Sequence, residues 1–504
     1  MKIAHPLAGC ALLIFCLSAV AKNVEPGLAD HAPPVFLNNS HGQNSHWSGI
    51  GTFSAKHTCN ASLIDTRAYG SDGPAYVLTS GHCFKLPHEQ LINIDTDVNV
   101  AITFNNFQDT QQNRAVYAIK RVNWQSLQGT NLAIAELDAP LSQLIAKGIK
   151  PLTLGHAPNT SISALLVGAS YPRANALALR SCQLQPSADT VAHPAIWRNA
   201  LKSHCKLTTG TLSGSPMLDR DSNTIIAVLG TVPLRQNARN RCDQSAPCTV
   251  INGIAQAQEL NTQYSHTVEN LSNCWVNGVL NEDSDDCSLY PATITKLSAP
   301  KPVQHYLPAR PEDKNPAIFP IWDVKFLIST PFYRYKVVDR SENCQNPANY
   351  SIALTSKNAH ITAPVGAKAG ISMLCLLGVS SENQGPLWGD LWNVRMLAVN
   401  LVEQGHAWKP AIDATVYGLE RLHLTELALV RDAHFNTRYF VKSGPPASTA
   451  CEVPQGYSPV ADEAFEKDTF KIVRQAQTIR HCLYSRNIRN DQSAVVSYQL
   501  NKMR

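Results

Sequence analysis

From Trp47 to about Gln263 the chain alternates short apolar runs with Gly, Asn, Asp and Pro. "AYVLTSG", "VNVAITF", "VYAIKRV", "NLAIAEL", "SALLVGASY" and "TIIAVLGTV" are strand-like in length and rich in β-branched residues. Helical spacing is hard to find there, so the pattern predicts an all-β barrel or sandwich of Greek-key type. Residues 22–46 are polar, with "HAPP" and "NNSHGQNSH", and read as an N-terminal arm. Residues 266–314 hold a Cys274–Cys287 loop with acidic "NEDSDD", then "LSAPKPVQHYLPARPEDKNP", which reads as a semi-rigid linker.

Beyond the linker the pattern repeats. "CQNPANYS" begins at Cys344 and "CEVPQGYS" at Cys451, both C-x-x-P-x-x-Y-S and 107 residues apart. A further Cys-Leu follows 31 positions later in each case, at Cys375 and Cys482, and "RY" precedes each block at Arg334-Tyr335 and Arg438-Tyr439. The fixed offsets predict tandem units over 315–410 and 411–504. "WDVKFLI", "YRYKVV", "YSIALTS" and "GISMLCLLGV" are strand-like, so each unit is expected to be β-sandwich-like with one internal disulfide. "LWNVRMLAVNLVEQ" fits a helix as well as a strand. Tyr350 and Tyr457 occupy equivalent places, and a shared core or corner role is expected of them before a binding one.

The first 21 residues set the compartment. Lys2, the run "LAGCALLIFCLSAVA" and the closing Ala19-Val20-Ala21 read as an export signal cut after Ala21. No other stretch is long and apolar enough for a transmembrane anchor. Twelve of the 14 cysteines follow this segment. An even number in an exported chain favours disulfides, and the location expected is secreted or periplasmic. Taken as neighbours along the chain, the predicted pairs are Cys59/Cys83, Cys182/Cys205, Cys242/Cys248, Cys274/Cys287, Cys344/Cys375 and Cys451/Cys482. No CxxC or HExxH pattern occurs, so neither metal nor other cofactor is expected.

At 504 residues the chain calls for about three domains. A charged fraction of 16% and a net charge of +5 argue against a dedicated nucleic-acid binder. From Glu466 to Arg504, eight Lys/Arg face three Asp/Glu, which reads first as a solvated face and only second as a polyanion site.

Three stretches carry chemistry together. "VLTSGHCF" places His82 beside Cys83, "GTNLAIAELDAPL" holds Asn131, and "TTGTLSGSPML" holds Ser213 before Gly214. With "TCNASLID" ahead of the histidine, the region resembles the chymotrypsin/trypsin-fold serine peptidases over about 220 residues. "SGSP" is similar to their bacterial secreted branch, which includes the glutamyl endopeptidases. The resemblance implies a two-barrel domain over 47–265, a Cys59–Cys83 bridge beside the histidine, and a protein or peptide substrate. It makes His82 the general base, Ser213 the nucleophile, and the amides of Thr211 and Ser213 the oxyanion hole. Leu207 would form the base of the substrate pocket, and Val228-Leu229-Gly230 the strand that pairs with substrate, with Gly230 giving the pocket an open mouth. Neither a basic nor an acidic side-chain preference is implied, because Leu207 and Ala227 stand where charge-reading residues would.

Asn131 is the departure. The family's strand carries Asp there, whose charge accepts the histidine N–H and stabilises the imidazolium. An amide offers one acceptor oxygen and one NH₂ donor. If the oxygen faces His82 the tautomer is right and the charge is missing; if the NH₂ faces it, the wrong tautomer is held. Two functions follow: a serine endopeptidase with a weakened third residue, or a pseudo-peptidase that serves as an extracellular binding or adhesion protein. The C-terminal repeats are candidates for binding a surface or a macromolecule, with a spacer role the plainer alternative.

Overall fold

The structure is a computed structural model. It describes residues 29–504 apart from 70–72, 87–89, 158, 171–175, 207–211, 232–241, 243–246, 258–260, 282–286, 288, 290–293, 311–313, 315, 393, 405–408, 418–422, 431–434, 467–468, 474–476 and 501–504. The expected export signal lies outside the described residues.

Twelve strands make two barrels. The first uses β1 (Ile50–Ser54), β2 (Thr58–Leu63), β3 (Pro74–Thr79), β4 (Ile92–Phe104), β5 (Ala115–Ser126) and β6 (Leu132–Pro140). The second uses β7 (Ile162–Ala169), β8 (Leu177–Pro186), β9 (Ala200–Ser203), β10 (Pro216–Asp219), β11 (Ile225–Thr231) and β12 (Gln263–Thr267). The first closes in the order β1-β2-β3-β6-β5-β4, the second as β7-β8-β9-β12-β11-β10, with β10 and β8 both paired to β7. Numbered within each barrel, both orders are 1-2-3-6-5-4. This is the two-barrel, trypsin-like arrangement.

The alternation along the strands explains why the barrels sit against each other. On β3, Ala75 and Val77 fill the first barrel while Tyr76 and Leu78 face the seam between barrels. On β6, Ala133 and Ala135 point in while Leu132 and Ile134 point to the seam. The second barrel answers with Leu165, Val167, Leu218 and Val228 at the seam and Leu166, Met217, Ala227 and Leu229 inside. These strands are buried on both faces, so their sequences read as nearly continuous apolar runs. Each fully buried Val, Leu or Ile contributes about 1.5–3 kcal/mol, and a one-residue slip would exchange the two faces.

Two insertions of the second barrel build a separate four-stranded sheet from Thr190–Ala192, Ala195–Trp197, Cys248–Ile251 and Ile254–Ala257. Six disulfides close Cys59–Cys83, Cys182–Cys205, Cys242–Cys248, Cys274–Cys287, Cys344–Cys375 and Cys451–Cys482.

The expected linker is woven into the folded parts on both sides. Trp275 packs 5.0 Å from Tyr76, and Trp124 Nε1 donates to Leu289 O at 3.0 Å, so residues at both ends of the Cys274–Cys287 loop pack on the first barrel. Further on, Val303–Tyr306 forms an edge strand parallel to the first C-terminal sheet, Val303 opposite Asn400 and Tyr306 opposite Glu403. Pro302 and Pro308 flank it, a place where proline costs no ladder hydrogen bond.

The first C-terminal unit contains β13 (Phe332–Val338), β14 (Leu354–Thr355), β15 (Gly370–Val379) and β16 (Arg395–Glu403). The second contains β17 (Asn436–Gly444), β18 (Ser458–Pro459), β19 (Ile479–Asn487) and β20 (Val496–Leu500). Their orders match, β14-β13-β15-β16 and β18-β17-β19-β20. "LWNVRMLAVNLVEQ" begins at the end of a helical turn, Trp388–Trp392, and is otherwise mostly the strand β16. Equivalence is set by Lys336 opposite Cys375 and Lys442 opposite Cys482. The "RY" pairs are therefore two residues out of register and are not a true part of the repeat. The basic residues near the C-terminus are partly engaged internally: Arg489 donates to Pro308 O and Pro316 O, and Arg486 lies 5.6 Å over the Phe440 ring.

Candidate active site

His82 sits on a single 3-10 turn, Gly81–Cys83, directly after β3. Gln125, fully buried on β5, supports that turn by donating from Nε2 to Gly81 O at 2.7 Å and Phe84 O at 3.1 Å. Cys83 ties the turn to β2 through Cys59. The sulfurs of Cys59 and Cys83 and a ring nitrogen of His82 lie within 4.8 Å of one another. Both sulfurs are spent in the disulfide, so the cluster is not a thiolate metal site.

Asn131 is buried at the entry to β6. Its Oδ1 accepts the His82 backbone N–H at 2.9 Å and the Ser80 hydroxyl at 3.0 Å. His82 Nδ1 lies 2.9 Å from Ser80 Oγ, 3.1 Å from Asn131 Nδ2 and 3.3 Å from Asn131 Oδ1. Burial lowers the pKa of the imidazole to about 4; the Asn131 hydrogen bond pulls it up, and the nearby His57 and Lys56 pull it down. The His57 ring centre is 5.8 Å from that of His82.

The approach to Asn131 is held from outside the barrels. Gly129, at φ +73°, accepts the Arg198 N–H at 2.9 Å. A Cβ on Gly129 would come within 2.8 Å of the Arg198 guanidinium, which in turn donates to Trp392 O of the first C-terminal unit and lies 5.3 Å over the Trp392 ring. Burial lowers the pKa of Arg198 to about 10, against the pull of Asp189.

Ser213 enters from the second barrel. Leu212 anchors the turn in that barrel's core, Gly214 N donates to Leu229 O at 2.8 Å, and Ser215 N donates to Leu212 O at 3.0 Å. Gly214 has φ +82°, and a Cβ there would sit 1.9 Å from Asn60 O, so only glycine fits. Asn60, on β2, fastens the turn across the seam. Its N–H donates to Ser213 O at 2.8 Å, its Nδ2 donates to Ala169 O at 3.1 Å, and its Oδ1 accepts from Ala169 N at 2.9 Å. Ser213 Oγ donates to Gly230 O at 3.2 Å. Among the described residues, no hydrogen bond joins Ser213 Oγ to His82, and Ser213 N–H has no acceptor.

Gly230 is the meeting point. A Cβ built on it would lie 3.0 Å from Asn131 Nδ2 and 2.8 Å from His266 Nε2. His266, on β12, is fully buried edge-on to Trp197 at 5.0 Å, with no partner on either ring nitrogen among the described residues. Burial, with His82 nearby, lowers its pKa to about 3. Val228 faces the barrel seam and Leu229 the second barrel's interior, and β10 and β12 bond both edges of this stretch. Gly230 lies by Asn131 and accepts from Ser213 Oγ. Leu207 and Thr211 lie outside the described residues.

Ser80, Asn60, Gln125 and His266 are the neighbours that motif reading missed. Ser80 and Asn60 stood inside quoted motifs, but their partners are set by pairing across the fold, and His266 lies far downstream in a segment with no motif.

No protein-family model matches this chain, and no curated protein matches it. Among solved structures it is similar to a thermostable serine protease, AL20, from an extremophilic microorganism, at 13% identity over 44% of this chain and 92% of that one, with a TM-score of 0.29. It is similar to the VesB protease of Vibrio cholerae at 9% identity over 72% of this chain and 98% of that one, TM-score 0.29. The protease Anisep of Arthrobacter nicotinovorans matches at 14% identity over 44% and 91%, TM-score 0.27. Superpositions this loose carry no weight for the site; strand order and hydrogen bonding do.

Proposed function

We propose that the protein is a secreted serine-type endopeptidase in which Ser213 attacks the scissile carbonyl and His82 takes its proton. One observation carries this reading: Asn131, which is hydrogen-bonded to His82, and Ser213 come from distant stretches and both reach Gly230. The Ser213 hydroxyl proton would pass to His82 Nε2 as the Oγ–carbon bond forms, and then to the leaving amine; water would release the acyl group by the reverse path. Ser213 N–H, with no acceptor among the described residues, suits an oxyanion donor, with Thr211 N–H as the second. The six disulfides are consistent with an extracellular or periplasmic protein, and no described helix is long and apolar enough to cross a membrane. The "SGSP" turn favours the bacterial secreted branch, with a small or apolar side chain preferred at the cleavage site. The two C-terminal units would hold the enzyme to a surface or a large substrate.

A second reading has its own support. Ser213 Oγ donates to Gly230 O and Asn131 carries no charge, as a pseudo-peptidase binding protein would allow. A fluorophosphonate probe separates the two. Labelling of the oxidised protein at Ser213, abolished in Ser213→Ala and His82→Ala, is the expected result. Absence of labelling in folded protein would leave the binding reading standing.

A further inference from the structure

We propose that Ser80 is the positioning residue that sets the proton on His82, in place of the carboxylate that Asn131 lacks. This rests on His82 as base and Ser213 as nucleophile. The backbone N–H of His82 can only donate, so the Asn131 atom 2.9 Å away is the acceptor oxygen. That fixes the amide's orientation. The same oxygen lies 3.0 Å from Ser80 Oγ and takes its hydroxyl hydrogen. A hydroxyl has one hydrogen, so with it committed to Asn131 the Ser80 oxygen is an acceptor towards His82 Nδ1, at 2.9 Å. Nδ1 then carries the hydrogen, and Nε2 keeps the lone pair needed to receive the Ser213 proton.

The competing arrangement has Asn131 Nδ2 donate to Nδ1 at 3.1 Å. It would put the ring hydrogen on Nε2 and block the transfer. The shorter contact favours Ser80, and so does the chemistry. Once Nε2 has taken the Ser213 proton both ring nitrogens carry hydrogen, and only an acceptor beside Nδ1 remains favourable. Through that step Nδ1–H stays on His82 and the hydroxyl hydrogen stays on Ser80, so one proton moves and no more.

The test reads the tautomer directly. In protein carrying ¹⁵N-labelled histidine, long-range ¹H–¹⁵N correlation at pH 8 distinguishes Nδ1–H from Nε2–H, with His82 assigned by its loss in His82→Gln. Nδ1–H is expected in the native protein and in Ser80→Thr, and Nε2–H in Ser80→Ala. An Nε2–H tautomer in the native protein, or an unchanged Nδ1–H in Ser80→Ala, overturns the proposal. With an activated ester, Ser80→Ala should lower kcat about 10- to 100-fold with KM within about twofold, and the same change should cost under about threefold in the Asn131→Asp background. Equal losses in both backgrounds would mean a merely structural role. The spectroscopic result needs no turnover: the predicted tautomers without ester hydrolysis would sink the catalytic reading and leave the assignment of Ser80 intact.

Discussion

At the residue scale the decisive atom is the Asn131 amide where a carboxylate would supply charge. In the serine-protease template, replacing that Asp by Asn costs about 10⁴ in kcat. Asn131→Asp should therefore raise turnover of a peptide ester by about 10²–10⁴, less than the full factor if Ser80 already holds the tautomer. The same change should move the acid limb of kcat/KM upwards. Burial holds the pKa of His82 at about 4, and a carboxylate beside Nδ1 would favour the imidazolium. A pH–rate profile whose acid limb falls near 4 in the native protein and nearer neutrality in Asn131→Asp is expected; an unmoved limb would show that another group titrates. His266 acts on stability instead. Its folded pKa, about 3, is below the ordinary 6.5, so the unfolded chain binds more protons between those values. The contribution is whole above pH 6.5 and is lost as pH falls towards 3. His266→Phe should narrow the gap between melting temperatures at pH 8 and pH 5, measured by calorimetry. A gap as wide as in the native protein would reject His266 as its source.

At the scale of elements, the sequence was legible where the signal is local. "TSGHC" and "TLSGSP" declare turns because a glycine is needed within a few residues of each side chain, as the contact of Gly214 with Asn60 O shows. The alternation of Ala133 and Ala135 against Leu132 and Ile134 was readable as a strand but not as a seam, since small and large apolar residues look alike until the second barrel is present. Val303–Tyr306 was hidden by its flanking prolines, which mark linkers and edge strands equally. The repeat was legible in its cysteines, whereas its physical content was not. Tyr350 OH donates to Cys344 O at 2.7 Å and Tyr457 OH to Cys451 O at 2.8 Å. Lys336 Nζ donates to Asn346 O and Ala348 O, Lys442 Nζ to Ala450 O and Val453 O, and each ammonium lies over its tyrosine ring. The Cys-to-Tyr spacing is shared, and each lysine stands opposite the second cysteine of its unit, so both units carry a Lys–Tyr clamp on the cysteine loop, which makes both tyrosines corner residues. Hydrogen bonds to charged groups contribute about 1.5–3 kcal/mol. Lys336→Met should cost the native state about 1–3 kcal/mol in denaturant unfolding and leave fluorophosphonate labelling of Ser213 in place; a cost under about 0.5 kcal/mol would mean the clamp is incidental.

At the scale of the molecule, the two C-terminal units are attached in different ways, and the difference decides which can be removed. The first shares a core with the insertions of the second barrel. Val191, Ile196 and Val250 pack with Ile371, Met373 and Met396, and Arg198 runs from Gly129 to Trp392. Taking this unit away would bare that apolar face and strip a buried guanidinium of its carbonyl, next to the turn that leads into Asn131. Leaving a buried polar group unpaired costs about 1–3 kcal/mol, more when it is charged. Among the described residues, the contacts of the second unit with the 308–316 segment are polar: the Arg310–Asp491 pair at 2.8 Å and the Arg489 hydrogen bonds to Pro308 and Pro316. A chain ending at residue 410 is therefore expected to fold and to retain its probe labelling, with a melting temperature within a few degrees of the full chain. A chain ending at 314 is expected to lose labelling and to aggregate or melt far lower. Equal behaviour of the two truncations would show that the shared core does not support the site; loss of labelling at 410 would place the second unit in it as well.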